Sequence, residues 1–398
     1  MATSNTILTP TAVTREALRI LHQKLNFVGN INRAYDSSFA KSGAKIGDSL
    51  KIRLPNQFTV RTGASLSAQN VTESSTTLQV ATQKGVDVQF SSAELSLSID
   101  DFSSRILEPA MSVLAANIEA DAYSMLKDVY NVIDNDGSAL SFAKIMAARK
   151  ALNDNLAPAD NNRNVILNTQ DNVDVIDALK GLFHDSGEVS RQYREGKMGR
   201  TGGFDFYEST LIPTQLTGTA AKTTGYLING ADQTGATITV DTGSTTFLKG
   251  DVITIAGVYR VHPETKAVTS QLQQFVVTAN SGANATSIAI SPAIVVSGAT
   301  QNVSGSPAND AAITKVGAGA SEYYNQSVAF HKDAFCFATA DLIMPSGVDF
   351  AAREVMDGLS MRIVRQYDIS DDTFPCRIDI LYGYKTLRAQ LAARILSN

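Results

Sequence analysis

Leu248-Lys-Gly-Asp-Val-Ile-Thr-Ile-Ala-Gly-Val258 is the stretch on which the reading of this chain turns. It leads a β-branched run, 252–261, out of a Gly-Asp turn. Similar runs stand around it: 236–240 (Ala-Thr-Ile-Thr-Val), 274–278 (Gln-Phe-Val-Val-Thr), 287–290 (Ser-Ile-Ala-Ile) and 294–296 (Ile-Val-Val). Gly, Asp and Ser turns separate them, and helical periodicity is absent. Short β-branched segments at this spacing indicate a small all-β sandwich or barrel. The module begins at about 222. The Gly/Ser/Ala/Asn-rich residues 297–320 read as its exit linker.

Upstream of the module the texture is mixed. Residues 11–26 predict an amphipathic helix, with Leu18, Leu21 and Leu25 on one face and Thr11 or Thr14 as cap. Residues 49–54 predict a strand. Residues 78–90 predict a long strand of period two, with Leu78, Val80, Val86, Val88 and Phe90 opposite Gln79, Gln83, Asp87 and Gln89, and a bulge at Gly85. The polar connection Pro55–Thr77 is too long for an ordinary hairpin. It is either an extended contact loop or a disordered insert, and the regular return strand favours the loop. Residues 107–130 predict a helix about 35 Å long, with Leu107, Met111, Leu114, Ile118, Ala122 and Met125 as its stripe and Pro109 in the first turn. A turn at 131–138, a helix at 141–154, a loop at 155–162, a buried strand at 164–168 and a helix at 171–182 follow. Phe204–Tyr207 returns to strand. Downstream, 361–369 and 376–384 predict strands joined by a turn at 371–375.

The chain has 398 residues, 34 basic against 39 acidic side chains, and a net charge of −5. Hydrophobic residues at 43% support sizeable cores, and the length suggests two or three domains. Charged residues are 18%, below the roughly 25% of an average domain. Bulk charge therefore excludes a disordered polyelectrolyte and a basic nucleic-acid binder. No signal peptide stands at Met1–Pro10, and no apolar run is long enough to span a membrane. The two cysteines exclude a disulfide framework and fit a reducing cytoplasm. Residues 1–53 carry eight basic and three acidic side chains, an excess that reads as an arm for an acidic partner or as a solvated face.

Residue patterns for chemistry are scarce. Gly196-Lys-Met-Gly-Arg200 lacks phosphate-cradle spacing, and G-x-S-x-G, H-E-x-x-H and C-x-x-C are absent. Asp134-Asn-Asp-Gly137 starts like a calcium loop, but its glycine comes early and Ile145 stands where the closing Glu belongs, so it reads as a turn. Cys336 and Cys376 read as small buried hydrophobes rather than redox or metal thiols. His22, His184, His262 and His331 lack metal-ligand spacing. Arg191, Arg194, Lys197 and Arg200, with Tyr193 and Phe204, read as a solvated loop or a weak nucleic-acid patch. No catalytic, cofactor-binding or metal-binding residue is assigned, no cofactor is expected, and the chain reads as a non-enzyme.

Several segments in order resemble the major capsid proteins of tailed bacteriophages. They are Thr14-Arg-Glu-Ala-Leu-Arg-Ile-Leu-His22, Lys45-Ile-Gly-Asp-Ser-Leu-Lys-Ile-Arg53, the long helix after a polar β-loop, and Asn164-Val-Ile-Leu-Asn168. Gly196-Lys-Met-Gly-Arg-Thr-Gly-Gly-Phe-Asp-Phe-Tyr-Glu-Ser209 and Leu211-Ile-Pro213 complete the series. The β-module is similar to the insertion domain of the short-tailed Salmonella-phage coat proteins, and Leu248–Val258 carries that likeness best. The resemblance covers essentially the whole chain. It implies an α+β fold, the Johnson fold shared with herpesvirus capsids, with an inserted all-β barrel-like domain. It also implies a division into an N-terminal arm (1–44), an extension-loop β-hairpin (45–98), and a spine helix with the start of the peripheral domain (99–140). A peripheral and axial domain (141–221), the inserted β domain (222–316) and the completion of the axial and peripheral domains (317–398) follow.

The function so implied is self-assembly as hexamers and pentamers into an icosahedral phage head enclosing double-stranded DNA. Its partners would be further copies, a scaffolding protein and a portal, with only weak contact to packaged DNA and none to membrane. Assembly would take place in the host bacterial cytoplasm, and the protein would reside in the virion capsid. One departure stands out: the connection between Thr224 and Ala236 is short where the relatives carry a longer loop used between capsomers. No Lys–Asn pair with a catalytic Glu stands out, so no crosslink is expected. The alternatives are a phage tail-tube or decoration protein, which the helix 107–130 disfavours, and a hydrolase or carbohydrate binder with a β-module.

Overall fold

The computed structural model describes residues 10–33, 49–66, 68–70, 73–91, 106–135, 138–179, 199–317, 319–356, 358–370 and 373–397. In chain order, the first elements are α1 (Pro10–Lys24), α2 (Phe27–Asn30), β1 (Asn32–Arg33), β2 (Ser49–Arg53), β3 (Ser75–Gln79), β4 (Thr82–Ser91) and α3 (Glu108–Tyr123). Next come β5 (Val132–Asp134), α4 (Phe142–Asp154), β6 (Arg163–Leu167), α5 (Thr169–Leu179), β7 (Arg200–Thr201), β8 (Phe204–Glu208) and β9 (Gln215–Leu216). The strands β10 (Thr223–Ile228), β11 (Gly235–Asp241), β12 (Val252–Val261), β13 (Val268–Val277), β14 (Ser287–Ile294) and β15 (Ala312–Lys315) follow. The chain closes with β16 (Tyr323–His331), β17 (Phe335–Ala340), β18 (Phe350–Met356), β19 (Leu359–Arg365), β20 (Thr373–Thr386) and β21 (Ala392–Ser397). Contacts divide the chain into two units: Met1–Arg53, Ser75–Ala122 and Phe335–Lys385 in the first, the remainder in the second.

The first unit is built on a sheet ordered β1-β17-β20-β19-β18, with β4 also paired to β20. The apolar face of α1 (Val13, Ala17, Leu18, Ile20 and Leu21, all buried) lies on β18 and β19. Its polar face is tied locally, with Arg19 reaching both Glu16 oxygens at 2.6 and 2.9 Å. The buried Glu119 carboxylate of α3 accepts the N–H groups of Phe27 and Val28 at 3.0 and 2.9 Å, capping α2. Residues 10–33 are therefore packed into their own unit. The basic surplus of the described arm is partly spent there, through Arg15 to Glu354 at 3.8 Å and Lys24 to Glu108 at 3.7 Å.

The expected strand 78–90 is two strands. β3 pairs with β2 in a separate two-stranded sheet, and β4 pairs with β20. Val80 and Ala81 mark the break, which periodicity passes over because the alternation of faces continues through it. The register of β4 on β20 runs without interruption from Thr82↔Tyr382 to Ser91↔Thr373, so Gly85 is not a bulge. It is glycine because a Cβ there would stand 2.5 Å from the Ile378 carbonyl oxygen and 2.9 Å from Asp379 Cβ. β19 ends at Arg365, leaving Tyr367 and Ile369 exposed. β20 starts at Thr373, so Phe374 and Pro375 belong to the ladder rather than to the turn.

In the second unit the main sheet is ordered β5-β21-β16-β6-β8-β7, with β9 also on β16. β6 is buried along its whole length and so reads as an unbroken apolar run apart from Arg163 and Asn164. The Arg163 guanidinium is satisfied by the carbonyls of Pro158 (2.7 Å) and Ala157 (2.6 Å) and by Asn153 (2.7 Å). Part of the expected turn 131–138 is strand instead, since Val132–Asp134 adds parallel to β21. The long helix keeps its buried stripe, but its α-helical part ends at Tyr123 and a 3-10 turn, Ser124–Asp128, follows. Helix 171–182 is found as Thr169–Leu179; its last residues and the basic stretch through Met198 lie outside the described residues.

The insertion is a closed barrel, ordered β10-β11-β14-β13-β12-β15. Tyr226, Ile238, Phe247, Ile253, Ile255, Val258, Phe275, Ile290 and Val303 belong to its core. The stretch read as an exit linker contributes Val303 to that core and closes the barrel with β15, so it is part of the module. Its polar, small-residue composition conceals this, because β15 is only four residues long. The runs 287–290 and 294–296 are largely one strand, Ser287–Ile294.

Candidate functional site

Two regions of the second unit stand apart chemically: the footing of the barrel on the main sheet, and the loop between β2 and β3. The footing begins with residues of two-sided burial. On β12, Ile253 points into the barrel core while its neighbour Val252 joins Tyr130, Val132, Val276, Tyr324 and Leu396 in a second apolar cluster. On β13, Val277 and Val276 divide in the same way. Adjacent buried residues on one strand mean that both faces are covered.

Polar groups stitch the same junction. Arg394 on β21 is fully buried and donates to the Val129 carbonyl at 3.0 Å, the Gly250 carbonyl at 2.7 Å and Gln326 Oε1 at 3.3 Å. Gly250 is held at φ +100 in the Lys249-Gly250-Asp251 turn, a conformation that suits glycine. Asp251 Oδ2 accepts the N–H groups of Leu248 at 2.9 Å and Gly218 at 3.0 Å. Burial pushes the Asp251 carboxyl above its ordinary value, against these donors and the charges of Lys315 and Arg394. Burial likewise draws Arg394 down to about 10, opposed by Asp251 and Asp128. The Gln274 side chain completes the edge of β5, accepting the Val132 N–H at 2.8 Å and donating to the Val132 carbonyl at 2.9 Å. Arg260 reaches Asn155 at 3.1 Å and Asp154 at 3.6 Å, and Lys249 reaches Asp128 at 3.3 Å. Chemically this junction fixes geometry: every strong donor in it ends on a carbonyl, an amide or a carboxylate of the same unit.

The β2–β3 strands pair in register from Ser49↔Gln79 to Arg53↔Ser75. The intervening segment is closed by a side chain: Gln69 accepts the Thr59 N–H at 2.9 Å and donates to the Thr59 carbonyl at 2.5 Å. Phe58, Val60 and Leu66 are 59%, 94% and 88% exposed on it. Lys51, Arg53 and Arg61 are exposed as well. The described residues of Pro55–Thr77 form a largely exposed loop.

The single residues weighed in the sequence fall into structural places. Cys336 and Cys376 are buried, and burial pushes the Cys376 thiol up to about 11. His331 is buried with Nε2 3.1 Å from Asp160, and His262 Nδ1 accepts the Glu264 and Thr265 N–H groups in a turn. Arg200 lies 3.5 Å from Asp205. His184, Arg191, Arg194, Lys197, Asp136 and Gly137 lie outside the described residues. Among the described residues, no group of three His, Cys, Asp or Glu could hold a metal ion, and no helix is long and apolar enough to cross a membrane. Arg394, Gln274 and Glu119 escaped sequence reasoning, because each acts on a segment distant in sequence. Asp251 was within reach, as the acid of the Lys-Gly-Asp turn that opens the diagnostic stretch.

Comparison with known proteins gives matches across nearly the whole length. A family model described as P22 coat protein, gene protein 5, matches residues 1–394. Among solved structures, a chain of Mycobacterium phage Che8 is 14% identical, covers 93% of this chain and 90% of its own, and has a TM-score of 0.47. The capsid of Ralstonia phage GP4 is 7% identical, covers 93% of this chain and 87% of its own, and also has a TM-score of 0.47. The CUS-3 coat protein I-domain is 34% identical over 23% of this chain and 96% of its own, with a TM-score of 0.19. No curated protein matches.

Proposed function

The chain belongs to the P22 coat protein family of bacteriophage capsids, and from that premise we propose that it self-assembles as hexamers and pentamers into an icosahedral head enclosing double-stranded DNA. The observation that carries the assembly reading is the β2–β3 hairpin. Three large apolar side chains on one exposed loop are a contact surface in search of a partner. The exposed bases Lys51, Arg53 and Arg61 suit a neighbouring copy, since the chain as a whole is acidic. Interfaces of standard size bury about 1,600 Å², and many such contacts repeated around each subunit add up by avidity.

In this reading the barrel footing holds the insertion at one angle, so that all copies present the same outline. The connection between β10 and β11 is short, 229–234, and no contact between capsomers is assigned to it. A scaffolding protein and a portal would be the further partners, assembly would proceed in the host cytoplasm, and packaged DNA would be touched only weakly because the protein is acidic. The subunit works by binding its own kind, with no catalytic step. Expression with and without a co-expressed scaffolding protein, followed by electron microscopy, tests the proposal. Uniform closed shells or capsomers are expected; stable monomers in both preparations would overturn it.

A further inference from the structure

Three arginines described on the sheet of the first unit have carboxylate partners. Arg353 lies 3.5 Å from Asp341, Arg362 is 2.7 Å from Asp379 and Arg377 is 3.0 Å from Asp87. Arg365 ends β19 with Phe350 opposite it on β18 and Cys376 opposite it on β20. Its guanidinium carbon is 4.9 Å from the Phe350 ring centroid and 5.4 Å from that of Phe374. Its Nε is buried without a hydrogen-bond partner, and no described residue supplies an acceptor to the rest of the group.

Two phenyl rings thus stand within cation–π range of the guanidinium. Attraction to the rings stabilises the cation there. Its donors are unused, and a planar fork of this kind matches a carboxylate in two parallel hydrogen bonds. Tyr367, packed 5.0 Å from the Phe374 ring, extends the apolar edge of the position. An arginine set among aromatic rings has the make-up of an interface hot spot.

We propose that Arg365 is an inter-subunit socket that receives a carboxylate side chain from a second copy of this chain, an inference that rests on the self-assembly reading above. The chain carries more acids than bases, 39 against 34, so every copy brings surplus carboxylates. A nucleic-acid backbone suits the position poorly. Asp349, which accepts the Tyr367 N–H at 2.6 Å, and Asp368, which accepts the Ser370 N–H at 2.9 Å, would flank the polyanion.

Footprinting of the unaltered protein with phenylglyoxal, which modifies arginine, tests the socket. Arg365 should react in the free subunit and be protected at least about tenfold in assembled shells. Shells in which Arg365 reacts as fast as in the free subunit would overturn the socket alone, whereas failure of any shell to form would overturn the assembly reading with it. A second arm uses Arg365→Lys in shells mixed from heavy-nitrogen and unlabelled copies, treated with a carbodiimide. A mass-spectrometric link from position 365 to an acidic residue of a differently labelled copy is expected. A link confined to one copy, or made only to the scaffolding protein, would overturn the proposal.

Discussion

At the scale of single residues, buried charge governs what this fold tolerates. Arg394 satisfies two carbonyls and faces Asp251, so removing it leaves acceptors and a carboxylate without their cation. Breaking a buried pair from one side costs about 3–5 kcal/mol, and Arg394→Met should lower stability to urea by that order. His331 and Asp160 give a pH signature. Burial pushes the Asp160 carboxyl up, but hydrogen bonds from the Asn162 backbone and side chain and from His331 outweigh it and hold the group at about 2, below its ordinary 3.8. A lowered pKa contributes stability that is present above the unfolded value and lost as pH falls through the folded one. Asp160→Asn should therefore weaken the protein above about pH 4 and match the wild type near pH 2 in acid-unfolding curves. The side chain is 41% exposed, so solvent screens the effect. Cys336 and Cys376 should resist a thiol reagent in the native protein and react once it is unfolded, as counted by a colorimetric thiol assay.

At the scale of elements, close approach decides more than propensity does. β4 crosses β20 with Gly85 against backbone, where the obstructing Ile378 oxygen cannot swing aside. Gly85→Val should cost about 1–3 kcal/mol in thermal unfolding, the usual range for overpacking. Gly29 in α2 is the contrast, because a Cβ there meets nothing within 4 Å; Gly29→Ala should leave stability unchanged or slightly raised. Strand existence and face were legible wherever one side of a strand meets solvent, as in β4. They were misread where the chain passes from one sheet to another without breaking its alternation, as at Val80 and Ala81. The four-residue β15 was missed because its partners, β10 and β12, supply most of its reason to be a strand.

At the scale of the whole molecule, exposed surface carries the proposed assembly. Phe58 and Leu66 are solvent-facing in the subunit, so their loss should cost the fold little. The double variant Phe58→Ser, Leu66→Ser should retain the wild-type circular dichroism and melting temperature while failing to assemble, measured by light scattering and microscopy. Wild-type assembly with normal kinetics would remove the hairpin from the contact. The basic excess of the first 53 residues belongs to this scale too. Read as charge alone, it left an arm and a solvated face equally open. The described part packs its apolar side on its own sheet and pairs two of its bases internally.

What the sequence determined by itself was everything carried by local period and turn chemistry: an α+β chain, a β-rich insertion, buried helix stripes and the buried cysteines. Those properties depend on residues a few positions apart. Only the tertiary structure decided that the insertion closes into a barrel, that Val252 and Ile253 serve two different cores, and that Arg394 holds Gly250 from 144 residues away. Such contacts are set by which segments the fold brings together, and no window of sequence contains both partners. The stretch Leu248–Val258 shows the division plainly. Its β-branched alternation announced the barrel, and its Lys-Gly-Asp turn anchors that barrel through groups that lie elsewhere in the chain.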